Sequence, residues 1–565
     1  MLDLRSKPFF LDDAGINWVN ANLEQMTPEE KIGQLLFPLG SCFDIPYLQE
    51  RLRLGIGGIL FRDGKAEEIQ DAHRYLQDNT KIPLLLAANL ENGGTGIAKE
   101  GTCFGNPMQA VAANDPKYGY YLGKICCAEG SAVGINCSFA PIVDIDMNWR
   151  NPITNIRTFG SDPEQVLSYS REYIRAAEEE GVATVIKHFP GDGFDERDQH
   201  LHVTVNDLPA QAWMETYGTI YRTLIDDGAK AVMVAHICQP DLAKTVNPDL
   251  TEEQAYRPAS LSPELTKGLL RDMLGFNGLV ISDATPMLGF SCSMKRHDAL
   301  PAAINAGVDM LVFNKNLTED YEYLLEAYRN KVISDSRLND AVTRILGFKA
   351  SLKLHQTVAK TVPDKSALNT LRNEGFARWA ADCADHAVTL VKDTRNILPI
   401  TPERYPRIGV AVLDNVSRKE ANASPVFLKI KEALSNDGYQ VTDFISGTLL
   451  GNHSATVKET VSGVDLVLYV FNYPAISSLT TNRISWAGKF RADKAPWFSE
   501  EIPTIGVSFA NPYHLIDVPQ FHTYINAYSF NDYTVSAVVE KLQGKSDFLG
   551  KSPVDAFCGR FDTRF

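Results

Sequence analysis

The strongest constraint on this chain is an alternation. Between residues 31 and 314, short apolar runs rich in β-branched residues recur, each followed by a longer stretch whose apolar positions have helical spacing. Eight such runs are read as strands: 32–38, 57–61, 82–88, 135–142, 183–188, 231–236, 278–282 and 310–313. Strands joined by helix-length connections pair in parallel, and a parallel sheet covered on both faces is apolar throughout. Eight units within roughly 300 residues predict an α/β fold of the (β/α)8 TIM-barrel type. A doubly wound open sheet also alternates, but here the polar residues sit directly after the strands, as on the catalytic face of a barrel.

The segment 164–180 illustrates the unit. Val166, Leu167, Tyr169, Ile174 and Ala177 follow helical spacing, Gly181 stops the helix, and the apolar run 182–186 follows at once. That strand ends in Lys187-His188-Phe189-Pro190-Gly191-Asp192-Gly193, whose proline and two glycines break regular structure. Further on, 354–366 (LHQTVAKTVPDKS) turns polar. The expected organisation is a barrel over 1–355, a linker over 356–370 and a smaller α/β sandwich over 371–565, with strands at 388–391, 408–413, 466–471, 504–509 and 524–527.

Composition removes several function classes. With 565 residues, 44% hydrophobic and 22% charged, the chain is globular and long enough for more than one core. Fifty-five Lys and Arg against 70 Asp and Glu, a net charge of −15, argue against nucleic acid or an anionic membrane as partner. The nine cysteines are scattered and odd in number, without a CxxC pair, which fits reduced thiols. No apolar run reaches the roughly 18 residues that cross a bilayer, and MLDLRSKPFF lacks the basic start and apolar stretch of a signal peptide. The expected location is cytoplasmic.

Reactive groups of a barrel stand at the C-terminal ends of its strands. There the chain has Asn89 and Glu91, Asp144 and Asp146, Lys187 and His188, His236, and Asp283. Each alone reads equally as a solvated loop residue; several converging make a site. Asp283 ends the otherwise uncharged run Gly278-Leu279-Val280-Ile281-Ser282, a placement suited to a nucleophile or cation stabiliser, and also to a helix N-cap. Asp198-Gln199-His200 can orient an imidazole by a carboxylate for proton transfer, although Asp195, Glu196 and Arg197 beside it also describe an ordinary charged loop. HExxH, thiolate clusters and GxxxxGK[ST] are missing, and Asn92-Gly93-Gly94-Thr95-Gly96 is misplaced for a dinucleotide loop, so neither metal nor cofactor is expected.

The segment KHFPGDGFDERDQH, from Lys187 onward, resembles KHFPGHG followed by DSH, the mark of glycoside hydrolase family 3 β-N-acetylglucosaminidases of the NagZ type. GINCSFAPIVDID (134–146), NIRTFGSDP (155–163), AVMVAHI (231–237), PASLSP (258–263), LLRDMLGFNGLVISDATPM (269–287) and AINAGVDMLVF (303–313) are similar to family blocks in the family's order, and AVTLVKDTRNILPI (387–400) and IPTIGVSFANPY (502–513) to its second domain. The resemblance implies Asp283 as the nucleophile of a covalent glycosyl-enzyme, and His200 with Asp198 as acid/base dyad in place of the second carboxylate that retaining glycosidases usually hold about 5 Å away. It further implies that Arg157, Lys187, His188, Asn89, Glu91 and His236 bind the sugar.

Three positions depart from that pattern. GHG becomes Gly191-Asp192-Gly193, DSH becomes Asp198-Gln199-His200, and DxEGG becomes Asn89-Leu90-Glu91-Asn92-Gly93, where an uncharged Asn89 replaces a hydroxyl-binding aspartate. The expected function is a retaining exo-β-N-acetylglucosaminidase acting on chito-oligosaccharides or muropeptides, with a small carbohydrate as its only partner and no oligomeric state defined. Rivals are a phosphorylase using the same intermediate, a β-glucosidase or β-xylosidase, and a sugar-binding protein without turnover.

Overall fold

The structure is a computed structural model that describes residues 2–356, 362–414, 424–444, 456–486 and 495–565. The chain divides into two compact units. The first comprises Met1–Phe104, Gly119–Asn148 and Pro163–Ala377. Its strands are β1 (Leu36–Phe37), β2 (Leu39–Gly40), β3 (Gly58–Phe61), β4 (Leu85–Ala88), β5 (Cys137–Ser138), β6 (Ala183–Phe189), β7 (Thr204–Val205), β8 (Ala231–Val234), β9 (Ile237–Cys238), β10 (Leu279–Ser282) and β11 (Leu311–Val312).

All of these strands but β7 and β9, which pair with each other, form a ring. β2, β3, β4, β5, β6, β8 and β10 lie side by side in one parallel sheet, and β11 pairs in parallel with β1. Ser282 N–H donates to Met310 O at 2.9 Å at one seam, and Gly57 N–H to Leu36 O and Leu60 N–H to Pro38 O at 3.0 and 3.1 Å at the other. The sheet therefore closes as a barrel. Pro38, which has no N–H to give, separates β1 from β2 and splits what is topologically one strand. β3, β4, β6, β8 and β10 are buried at every residue, as parallel strands covered by helices must be.

Two predicted strands differ from the observed ones. The run 32–38 begins as a helix, Pro28–Gln34, because Thr27 and Glu30 form a reciprocal capping box and Pro28 presets the first turn. Ile32 and Leu35 are then buried at helical spacing before the strand starts at Leu36. The run 135–142 supplies only β5, since Pro141 cannot extend the ladder, and Ile142 makes an isolated bridge to Lys187.

The N-terminal end of the barrel, opposite Asp283, is held by charge. Asp309, fully buried, accepts from Val280 N–H at 2.9 Å and from the guanidinium groups of Arg271 and Arg337 at 2.8 Å each. Burial pushes its carboxyl up, and the cations of Arg271, Arg337 and Arg344 outweigh that and hold it below the usual carboxylate value. A depressed folded value means its stabilisation is complete above the unfolded carboxylate pKa and is lost as pH falls through the folded one. Asp309→Ala removes the buried charge that two guanidinium groups share and the acceptor of a strand N–H; the expected loss is about 3–5 kcal/mol, read by denaturant unfolding at neutral pH.

The second unit comprises Arg378–Phe565 together with two stretches from within the predicted first domain, Gly105–Tyr118 and Trp149–Asp162. Its strands are β12 (Thr389–Asp393), β13 (Arg407–Asp414), β14 (Gln440–Asp443), β15 (Leu466–Asn472), β16 (Thr504–Ser508) and β17 (Thr523–Asn526), in the order β12-β17-β16-β15-β13-β14. All pairs are parallel except β12 with β17. β14 escapes prediction because only Val441 of its four residues is buried. Helices Pro425–Asn436 and Asp532–Leu542 cover one face around Ile408, Ile430, Leu468 and Val538. Residues 357–361 of the expected linker lie outside the described residues, and Lys365–Thr370 is a 3-10 turn.

Candidate active site

β6 places the first pair of groups. Neighbouring residues of a regular strand point to opposite faces, but the register of β6 against β8 shifts between Ile186 and Phe189, and such an irregularity re-aims side chains. Lys187 and His188 consequently both reach groups that follow neighbouring strands. Lys187 Nζ donates to Glu91 Oε1 at 2.7 Å and to Asn89 Oδ1 at 3.4 Å, beyond the end of β4. His188 Nδ1 meets Asp144 Oδ2 at 2.7 Å, and Asp144 Oδ1 accepts the N–H of His188 at 3.0 Å and of Asp192 at 2.8 Å. Asp144 is fully buried, so its four lone-pair directions are largely spent on this corner.

The loop after β6 is shaped by Gly193, whose φ is +99° and where a Cβ would meet Ile145 O at 2.0 Å. Trp213 Nε1–H donates to Pro190 O at 2.8 Å and Tyr217 O–H to Asp192 O at 2.6 Å, fixing the turn from beneath. The loop then carries Asp198, which is buried, and His200, whose side chain is 30% exposed. His200 Nδ1 meets Asp198 Oδ1 at 2.7 Å and its backbone N–H donates to the same oxygen at 2.9 Å. A carboxylate, as an acceptor, assigns the ring proton to Nδ1 and leaves Nε2 as the atom for proton exchange.

His236, following β8, is fully buried and held at both ring nitrogens. Nε2–H donates to Ala284 O at 3.1 Å, and Ser260 Oγ donates to Nδ1 at 2.9 Å. Burial lowers its pKa, with Asp283 pulling the other way, and the two ring contacts fix the imidazole. It thereby pins the peptide after Asp283.

Asp283 follows β10 directly and is half-buried. It does not cap a helix: its Oδ1 accepts from the adjacent Ala284 N–H at 2.7 Å, and the next helix, Leu288–Ser291, starts after Met287. Burial raises its carboxyl, but the imidazoles of His188, His236 and His200, with the Ala284 N–H, outweigh that and hold it below the usual range. A carboxylate under the electrostatic influence of three imidazoles, two of them backed by buried aspartates, can combine a nucleophile with a proton carrier.

The sequence-derived set is thus gathered in the first unit, with one exception. Arg157 belongs to the second unit, where it ends the 3-10 turn Asn155–Arg157 and donates to Ile153 O at 3.3 Å. Sequence reasoning counted Asp144 among the strand-end acids without giving it a role, and gave none to Ser260 or Gln199. Asp144, Ser260 and Gln199 each orient a histidine or its loop. Asp144 had a signal, an acid ending an apolar run at a strand end; Ser260 and Gln199 had none, because polar residues in loops are ubiquitous. Among the described residues no His, Cys, Asp and Glu cluster has the arrangement of a metal site.

A closed barrel with a carboxylate and imidazoles gathered at the ends of its strands has the form of a barrel enzyme's active site. Residues 27–348 match the family model described as glycosyl hydrolase family 3 N terminal domain. Over 567 aligned residues, covering 100% of both chains, the sequence is 41% identical to a β-N-acetylglucosaminidase/β-glucosidase of Cellulomonas fimi. The solved structure of the β-glucoside phosphorylase BglX matches with a TM-score of 0.94 at 42% identity, covering 99% of each chain. A family 3 β-N-acetylglucosaminidase from Paenibacillus sp. str. FPU-7 shares the fold, with a TM-score of 0.79 at 22% identity over 95% of this chain and 100% of its own. The chain belongs to glycosyl hydrolase family 3 and is a glycosidase.

Proposed function

We propose that the protein is a retaining exo-acting glycosidase that releases terminal β-linked N-acetylglucosamine from chito-oligosaccharides or muropeptides, through a covalent intermediate on Asp283. The observation that carries this reading is the ionised Asp283 beside His200, whose imidazole rests on buried Asp198. In the first step an Asp283 carboxylate oxygen attacks the anomeric carbon, the bond to the leaving oxygen breaks, and His200 Nε2 gives that oxygen its proton. In the second, an acceptor attacks the anomeric carbon, its proton passes to His200 Nε2, and the bond to Asp283 breaks. Lys187, His188, Asn89 and Glu91 serve as hydrogen-bonding partners for sugar hydroxyls, while His236 steadies Ala284 beside the nucleophile. The buried, unpaired thiols of Cys126, Cys127, Cys137, Cys238 and Cys383 support action inside the cell.

Phosphorolysis is the second reading, and a specific feature favours it. The acid/base is an imidazole rather than a carboxylate, so a phosphate anion approaching the glycosyl-enzyme is not repelled by a charge of its own sign at that position. The β-glucoside phosphorylase among the structural matches gives the same direction. Incubation with N-acetylglucosaminide and glucoside, each with and without inorganic phosphate, separates the readings: free sugar in both arms supports hydrolysis, and sugar 1-phosphate formed at the expense of free sugar supports phosphorolysis. No turnover of either sugar by folded protein rejects both.

A further inference from the structure

Gln199 stands between the two members of the proposed dyad but takes no part in proton transfer. It is buried, 2% exposed, yet its amide is surrounded by polar partners. Oε1 accepts from His236 N–H at 3.0 Å and Nε2 donates to Asp192 Oδ2 at 3.4 Å. The amide orientation is dictated, since a backbone N–H only donates and a carboxylate only accepts. The main chain of the same loop is tied to the segment after Asp283: Gly289 N–H donates to Gln199 O at 3.2 Å and Leu288 N–H to His200 O at 3.1 Å. A Cβ at Gly289 would stand 2.8 Å from Gln199 O, from His202 O and from His236 Cβ, so the two segments touch backbone to backbone.

Asp192 is itself anchored. Its Oδ1 accepts Gly193 N–H at 2.7 Å and its own N–H donates to Asp144, the residue that holds His188. Asp192 and Gln199 are also the positions at which this chain departs from KHFPGHG and from DSH, and the two departures bond to each other. A serine in place of Gln199 is too short to span His236 N–H and Asp192 together.

We propose that Gln199 is a positioning residue which, clamped between Asp192 and the His236 backbone, sets the aim of His200 toward the bond above Asp283. The proposal rests on the reading of His200 as acid/base. It assigns function to a neutral, buried side chain that never touches substrate, and it makes Asp192 and Gln199 an interdependent pair.

The test uses leaving groups of different need for a proton. Dinitrophenolate departs without acid help, and azide attacks the glycosyl-enzyme without base help, whereas an alkyl or disaccharide leaving group needs both. In Gln199→Leu, kcat on a disaccharide substrate is expected to fall about 10- to 100-fold, the scale of misplacing a catalytic group by an ångström. Turnover of the dinitrophenyl glycoside with azide should stay near wild type, which also reports that the protein is folded and Asp283 intact. Gln199→Glu, which faces Asp192 with a like charge, should show the same selective loss, and adding Asp192→Asn should recover it. Equal rates for wild type and Gln199→Leu on the disaccharide, or an equal loss on both substrates, would overturn the proposal. His200→Ala run alongside keeps the two claims apart: if that variant lacks the selective loss, the acid/base reading fails, whatever Gln199 does.

Discussion

Asp283→Asn should lower release of nitrophenol from an aryl β-N-acetylglucosaminide by about four to six orders of magnitude, the range seen when a covalent nucleophile is removed. The substitution is nearly isosteric, and the amide oxygen can still accept from Ala284 N–H, so the thermal midpoint should remain close to that of the parent. What is lost is the negative charge that three nearby imidazoles favour. Because those groups hold the carboxyl below its usual value, the acid limb of kcat/KM attributable to Asp283 should lie below the range of an ordinary aspartate. A slow-reacting fluorosugar should leave its mass on the peptide bearing residue 283. A variant within about tenfold of wild type would remove Asp283 from the nucleophile's role.

His200→Ala carries the second largest effect, about 10²- to 10⁴-fold in kcat on substrates with poor leaving groups, the usual contribution of general acid/base catalysis. The deficit should shrink as the leaving group improves, and azide should restore part of the deglycosylation rate with formation of the glycosyl azide. Asp198→Asn should be damaged less, since the imidazole remains but loses the partner that fixes its tautomer and steadies its cationic form. A uniform loss across leaving groups, with no response to azide, would place His200 in substrate binding instead.

The parts of the molecule legible in the sequence are those in which a pattern repeats. Eight apolar runs with helices between them announce a closed barrel because burial of parallel strands leaves little compositional freedom. Asp283 was visible for the same reason, as the single charge at the end of β10. The boundary at Ile32 was misread because a capping box at Thr27 and Glu30 outweighs a local apolar run. Gln199 and Ser260 are illegible as functional residues: each bonds His236, which lies 37 and 24 positions away in sequence, and Gln199 bonds Asp192 as well. The extent of the second unit was illegible too, since the helix Pro107–Ala112 reads like any other barrel helix until its partners are known.

That interleaving has a consequence for synthesis. Within the second unit, Asn106 bonds to Tyr528 and Ser529, Ala112 O accepts from Lys551, and Ser161 donates to Pro553 O. A chain emerging from the ribosome makes the early halves of these contacts some four hundred residues before the late halves exist. The nascent barrel must therefore carry two unsatisfied excursions, 105–118 and 149–162, through most of translation. The second unit cannot be completed before these partners exist, and residues 528–553 act as the clasp on 105–118 and 149–162.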